Sequence, residues 1–284
     1  MSHFTVLVIW DNPEKQLAPF QENNMDDCPK EYLKYCVYDK DWNKHRFDTE
    51  EDFKKSWIIP EDEDWGYREN PNAKWDWYQL WGRRGGIFSL KKDVEFDEKN
   101  MWDFSFLTPI SEIEKLKREK KCSKARKWDI DFEWMYKSKL EKEIWSYKPL
   151  FDAYNNQFPV VPQKWKNLAE QYKENIQNAR DIYGAQEEVK EFNKKCKELN
   201  ISFRDTLLED FEWFTSVEEY VKTICPWFYT FAVIKDGLRY QEGQMGRRWA
   251  VSDRKSPKDR ASEFKKLLEE LPEDTLLSVY DCHI

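Results

Sequence analysis

The spacing of apolar residues changes twice along this chain, and that change restricts its fold more than any other feature. Near both ends, apolar residues alternate or run together in short stretches, which is typical of strands. Between Ser111 and Ile224 they recur at steps of three and four, which is typical of amphipathic helices. The pattern predicts an α+β fold in which a mixed, mainly antiparallel sheet with a packed helix is interrupted by a long helical insertion.

The strands fall into two groups that the insertion separates. His3–Ile9 is nearly all apolar or β-branched, so we expect a strand with both faces covered. Asp236-Gly237 stands between two further strand-like stretches and predicts a tight hairpin. Lys258–Leu271 is typical of an amphipathic helix, and Thr275–Ile284 of a last strand. We therefore expect half-domains at 1–108 and 224–284, with the insertion at 109–223.

The insertion carries a narrow apolar seam that runs from Phe132 to Val221, with Lys and Glu on the opposite faces. A seam of this length needs a partner, either a sister helix of the same chain or another subunit. We expect an arm of antiparallel helices and a homo-oligomer formed through it.

An aromatic stretch from Lys74 to Trp81 predicts another strand, which breaks at Gly82. A period of two would place Trp75, Trp77 and Gln79 on one face, and Asp76, Tyr78 and Leu80 on the other.

Composition narrows the choice of partners. Aromatic residues make up 17% of the 284 residues and include 15 Trp, the kind of side chain that anchors protein interfaces. The net charge of −8 makes broad contact with a nucleic-acid backbone an unfavoured role and suits a basic protein partner. No apolar run approaches the ~20 residues that a membrane helix needs.

Six scattered cysteines, none of them in a CxxC pair, indicate reduced thiols in the cytoplasm. The first residues are strand-like, so we expect a strand there and not a secretion signal. Three His and unclustered Cys lack the spacing of a zinc site, and no phosphate-binding glycine loop is present. We expect neither a metal nor a cofactor.

Tyr-Gln followed by Gly-Arg-Arg occurs twice, after Tyr78 and after Tyr240. Each arginine pair could bind phosphate or carboxylate, or could instead bridge local acids and stack on rings. The candidate binding residues are Trp75, Trp77, Tyr78, Trp81, Arg83, Arg84, Tyr240, Arg247, Arg248 and Trp249.

The candidate catalytic residues are Cys282 and His283, with His3. If the first and last strands are neighbours, His3 could approach Cys282 or His283 and give a thiol within reach of an imidazole. Cys282 and His283 point to opposite faces of a strand, however, so a buried packing cysteine is the alternative that we favour.

Several segments together resemble a family of phage and prophage proteins: Met1–Ile9, Asn70–Tyr78, Asp129–Phe132, Phe231–Val233 with Gly243 and Met245-Gly246, and Asp281–Ile284. A phage origin implies action against host immunity. The size and the long helical arm also resemble the inhibitors of the Gabija nuclease complex, which oligomerise around their target.

Three functions remain open. The first, which we favour, is a non-enzymatic inhibitor that binds a host anti-phage defence complex such as Gabija. The second is a sponge that holds a nucleotide immune signal between the arginine pairs and aromatic rings. The third is an enzyme that uses Cys282 and His283.

Overall fold

A computed structural model describes residues 3–24, 27–37, 66–80, 87–97, 110–157, 163–201, 208–241, 244–245, 251–252 and 256–283. Within them the chain forms two compact units. The first, here the sheet unit, comprises Met1–Phe132, Tyr229–Ser256 and Lys266–Ile284. The second, here the helical unit, comprises Glu133–Phe228 and Pro257–Lys265. The half-domain boundaries expected from the sequence stay a prediction.

The described strands, in chain order, are β1 His3–Ile9, β2 Lys34–Val37, β3 Gly66–Glu69, β4 Trp77–Leu80, β5 Phe88–Ser89, β6 Lys121–Cys122, β7 Lys124–Arg126, β8 Ala232–Lys235, β9 Leu238–Gln241, β10 Gln244–Met245, β11 Val251–Ser252 and β12 Leu276–His283.

The described α-helices are α1 Pro13–Leu17, α2 Ile110–Arg118, α3 Phe132–Gln157, α4 Trp165–Gln171, α5 Ile176–Ala185, α6 Glu187–Glu198, α7 Val217–Ile224 and α8 Pro257–Glu270. Short 3-10 helices cover Ala18–Phe20, Lys30–Tyr32, Lys127–Asp129 and Leu208–Trp213.

The main sheet has the strand order β4-β12-β1-β8-β9, and β7 also pairs with β12. Only the β1–β8 pairing is parallel among these strands, so the sheet is mixed and mainly antiparallel. The predicted α+β class is therefore confirmed. The two-residue turn between β8 and β9 has positive φ at both Asp236 and Gly237, the geometry that the Asp-Gly pair favours in hairpins.

β1 is buried on both faces, as the sequence predicts: Val6, Leu7, Val8 and Ile9 have no exposed surface. Val6 and Val8 belong to a core cluster with Trp75, Tyr280 and Cys282. α8 buries the residues that its amphipathic pattern indicates, among them Ala261, Phe264 and Leu268.

The helical unit has a core of its own. Side chains from α3 through α7 and from the 3-10 helix Leu208–Trp213 form one buried cluster. Phe211 lies at its centre, with its ring 4.5 to 5.9 Å from the rings of Phe151, Tyr154, Phe192 and Tyr220. Of the two partners expected for the apolar seam, the structure shows sister helices of the same chain.

Candidate functional site

Three strand ends meet at one corner of the main sheet. His3 near the start of β1 lies opposite His283 near the end of β12, and His283 also lies opposite Trp77, the first residue of β4. Residues in register point to the same face of a sheet, so the two imidazoles and the indole form one row. Asp281 lies two residues before His283 and therefore points to that face as well.

Each imidazole at this corner is held by a carboxylate. His283 Nδ1 lies 2.8 Å from both side-chain oxygens of Asp76. His3 Nδ1 lies 3.1 and 3.3 Å from the side-chain oxygens of Asp281. A carboxylate only accepts hydrogen bonds, so each Nδ1 carries the hydrogen and donates it. In the neutral ring this leaves the lone pair on Nε2.

The rings at the corner touch. The His3 and His283 centroids are 4.8 Å apart with their planes at 68°, and Trp77 stacks on His283 at 5.1 Å and 17°. These contacts fix the orientation of His283 on both sides. We call the set formed by His3, Asp76, Trp77, Asp281 and His283 the histidine corner.

The two outer rings of the histidine corner are part-exposed, and the ring between them is covered. Trp77 is 38% exposed, the side chain of His3 is 24% exposed, and that of Asp281 is 1% exposed. The side chains of Asp76 and His283 are 20% and 5% exposed. His3 and Trp77 therefore present the exposed surface of the corner, and His283 lies covered between them.

Asp76 is itself held by the backbone. Its side-chain Oδ1 accepts a hydrogen bond from Trp77 N at 2.7 Å, and its own N–H donates to His283 O at 2.9 Å. The carboxylate that orients His283 is thus fixed to the strand beside it.

Cys282 does not join this cluster. It pairs in register with Phe4 and Tyr78 on the opposite face of the sheet and has no exposed surface. Burial, together with the nearby charge of Asp281, raises the pKa of the Cys282 thiol well above its ordinary value. The structure brings His3 and His283 together but not the thiol and an imidazole.

The predicted alternation of the aromatic strand is correct from Trp77 to Leu80 and wrong at Trp75 and Asp76. Trp75 pairs with Gln21 instead of β12, so the regular alternation begins only at Trp77. Trp75 is fully buried in the core that also contacts Tyr78, while Asp76 reaches His283 on the other face.

The remaining candidate residues of the sheet differ in exposure. Tyr240 on β9 is exposed, whereas its neighbour Arg239 lies over the Trp75 ring at 5.8 Å. Burial lowers the pKa of Arg239 to about 10 and raises that of Tyr78 to about 12. Trp81, Arg83, Arg84, Arg247, Arg248 and Trp249 lie outside the described residues, so their binding role stays a prediction.

Sequence reasoning did not find Asp76 as the partner of His283. The only signal was an acidic residue within an aromatic run, and its contact depends on the break at Trp75. It also did not single out the exposed tryptophans of the helical unit, because helical spacing alone does not show which rings the core leaves out.

Those tryptophans are the second prominent surface feature. Trp145 on α3 is 79% exposed and Trp213 is 78% exposed, while Trp134 on α3 is 44% exposed. Trp134 and Trp145 are eleven residues apart, which is three helical turns and roughly 16 Å, so they lie on one stripe of α3. Lys164 lies over the Trp213 ring at 6.0 Å.

Among the described residues, no group of three or more His, Cys, Asp or Glu side chains is arranged to hold a metal ion. No helix in the described ranges combines the length and apolarity needed to span a membrane. All six cysteines are free thiols.

Comparisons with known proteins give no relative for this chain. No protein-family model, no curated protein and no solved structure matches it.

Proposed function

We propose that this chain is a binding protein of phage origin that blocks a host anti-phage defence complex, such as the Gabija nuclease complex, by direct contact. In this function the protein acts by binding its target and not by catalysis. The phage setting derives from the resemblance of the sequence segments described above, and the contact surface from the exposed aromatic residues.

The observation that carries the proposal is the exposure of Trp145 and Trp213. A large apolar ring that is almost four-fifths exposed gains little in the isolated chain, whereas burying it against a partner is strongly favourable. Tryptophan is also among the residues most often found at the energetic centres of protein interfaces.

The core of the helical unit supports the same interpretation. Its apolar seam is already covered by sister helices, so Trp145 and Trp213 are not parts of an incomplete core. Their removal should therefore spare the fold and affect only what the surface contacts.

Self-association is a separate part of the proposal. Because the seam is buried within one chain, a homo-oligomer would have to form through the exposed surface instead. Light scattering on the wild type and on Trp145→Ala tests this: an oligomer that dissociates in the variant supports self-association through Trp145, and a monomeric wild type excludes it.

The test of the function itself uses bacteria that carry the Gabija system and a phage that this system restricts. Expression of the chain is expected to restore plaque formation. The double variant Trp145→Ala/Trp213→Ala is expected to lose most of that effect, since a central interface residue commonly contributes about 2 kcal/mol or more.

Trp128→Ala is the matched control, because Trp128 is an exposed tryptophan of the sheet unit. It should restore plaques as the wild type does. If the wild-type chain leaves phage restriction unchanged, Gabija is excluded as the target. If the double variant restores plaques as well as the wild type does, Trp145 and Trp213 are excluded as the contact residues.

A further inference from the structure

The exposed side of α3 carries a row of charges around one tryptophan. Lys137, Glu141, Trp145, Lys148 and Asp152 are all exposed residues of this helix. Successive residues of an α-helix are about 100° apart, so these five side chains fall within an arc of about 80°. We call them the α3 stripe. The stripe lies beside the face of α3 that packs into the core of the helical unit.

The charges of the α3 stripe are mirrored about one point of the helix. The midpoint of Lys137 and Asp152 lies between residues 144 and 145, and the midpoint of Glu141 and Lys148 is the same. Each of these two pairs joins a base and an acid. Trp145 is 79% exposed and lies beside the midpoint. The stripe is therefore complementary in charge to its own reverse.

A pattern of this kind matches a second copy of the same helix that runs antiparallel. Such a copy, centred on the midpoint, places its Asp152 opposite Lys137 and its Lys148 opposite Glu141. Two-fold symmetry repeats both ion pairs and brings the two Trp145 rings together at the centre. A parallel copy in register would set each charge against the same charge, so the pattern selects the antiparallel arrangement.

We propose that two copies of this chain associate through the α3 stripe as an antiparallel helix pair with two-fold symmetry. The inference rests on the self-association that is part of the proposed function, and it names the occupant and the register of that contact. The matched stretch, residues 137–152, spans about 22 Å of helix, or about four turns.

Trp145 and the charges have different tasks in this pair. Burying the Trp145 ring against its symmetry mate removes apolar surface from water and supplies most of the affinity. Exposed ion pairs add little affinity, but like charges placed opposite each other exclude the other registers. Within one chain Lys148 Nζ lies 3.4 Å from Asp152 Oδ2, so each end of the interface would hold four charges of alternating sign.

The dimer also separates the roles of the two most exposed tryptophans. Trp145 is covered by the second copy, whereas Trp213 belongs to the 3-10 helix Leu208–Trp213 and remains available for the target. A dimer presents Trp213 twice, and two linked contacts bind a target with two sites more tightly than one contact does.

The experiment uses the purified full chain and two charge variants of the α3 stripe. Lys137→Glu/Lys148→Glu leaves only acids around Trp145, and Glu141→Lys/Asp152→Lys leaves only bases. Sedimentation equilibrium should show a dimer for the wild type and a monomer for each variant alone. Four attractive pairs become repulsive in each variant, so the dissociation constant should rise about a hundredfold or more.

Mixing the two charge variants is the decisive step. An acidic stripe opposite a basic one restores all four ion pairs, so the equimolar mixture should sediment as a dimer with one chain of each kind. Lys190→Glu/Lys194→Glu is the matched control, because it makes the same change in net charge at two exposed lysines of α6. It should dimerise like the wild type. Circular dichroism should show the helix content of the wild type in every variant, since all the substituted side chains are exposed.

Three results would overturn the proposal: a wild type that stays monomeric throughout the micromolar range, a charge variant that still dimerises alone, and a mixture that stays monomeric. If the wild type is monomeric and the charge variants no longer co-sediment with the Gabija complex, the α3 stripe contacts the target instead. The dimer is measured without any target, so a dimeric chain that restores no plaques would refute the proposed target and leave the dimer in place.

Discussion

His3 and His283 lie directly opposite each other across β1 and β12, with their ring centroids 4.8 Å apart. Residues 280 positions apart in the chain are thus joined at the corner of one sheet. The same corner brings in Asp76 and Trp77 from a third strand end.

Asp76→Ala should destabilise the sheet unit. The change removes both oxygens that accept from His283 and leaves a nearly buried imidazole without its carboxylate, at a cost of about 1 to 3 kcal/mol. Urea denaturation measures the free energy of unfolding. Asp152→Ala is the control, because its pairing with Lys148 is exposed and should contribute less than about 1 kcal/mol. Equal effects of the two changes would show that the corner does not stabilise the fold.

Glu209→Gln should change how stability depends on pH. Glu209 accepts a hydrogen bond from Trp165 N at 2.9 Å at the start of α4, and burial raises the pKa of its carboxyl. The folded state therefore binds the proton more tightly than the unfolded state. The stability of the wild type falls as pH rises from the unfolded pKa through the folded pKa, and glutamine removes that loss.

The measurement is the melting temperature at pH 4 and at pH 7. From pH 4 to pH 7 the melting temperature of Glu209→Gln should rise relative to that of the wild type. Glu170 is an exposed residue of α4, so Glu170→Gln should show no such relative rise. A constant difference between Glu209→Gln and the wild type at both pH values would contradict the assigned role.

Thiol labelling should find one cysteine that reacts before the other five. Cys36 is part-exposed, whereas Cys28, Cys122, Cys196, Cys225 and Cys282 are buried. Burial raises the pKa of Cys122 to about 12 and of Cys196 to about 11, so these two thiols are protonated as well as covered. Cys36 donates to Glu69 Oε1 at 3.2 Å, and burial raises its pKa as well, so its advantage over the other thiols is access to the reagent. Ellman's reagent at pH 8 should therefore react first with about one thiol per folded chain, and with all six in denaturant. Cys36→Ser should abolish the fast reaction, and a fast phase that persists would mean another thiol is open.

Phe211→Ala and Trp145→Ala should separate core from surface in the helical unit. Phe211 is buried among four aromatic rings, so its loss should cost about 3 to 5 kcal/mol. Trp145 is exposed, so its loss should stay within about 0.5 kcal/mol. Denaturation curves for both variants provide the comparison. A large loss at Trp145 would show that this ring packs against the fold.

Much of the sheet could be predicted from the sequence, because alternation and turn chemistry are local. The apolar run at His3–Ile9 and the Asp236-Gly237 turn each specify their structure without distant contacts. The boundaries of the helices in the insertion were harder to predict. The apolar steps continue from Trp165 to Ile182, but the chain starts a new helix at Ile176, where the Asn175 side chain caps Asn178 N at 3.2 Å.

The site could be predicted only in part. The contact between His3 and His283 could be predicted only on the condition that the first and last strands are neighbours. The sequence alone did not establish that condition. The Asp76 contact could not be foreseen, because it depends on Trp75 pairing with Gln21 and leaving the regular strand. Which tryptophans stay exposed depends on how the helices pack, and a periodic pattern does not contain that information.

The most direct test of the proposed function is sedimentation of the purified chain mixed with the purified Gabija complex at micromolar concentration. The wild type and Trp128→Ala should each co-sediment with it in a fixed ratio, and Trp145→Ala/Trp213→Ala should sediment alone. Separate sedimentation of the wild-type chain would contradict the claim that this protein acts by binding that complex.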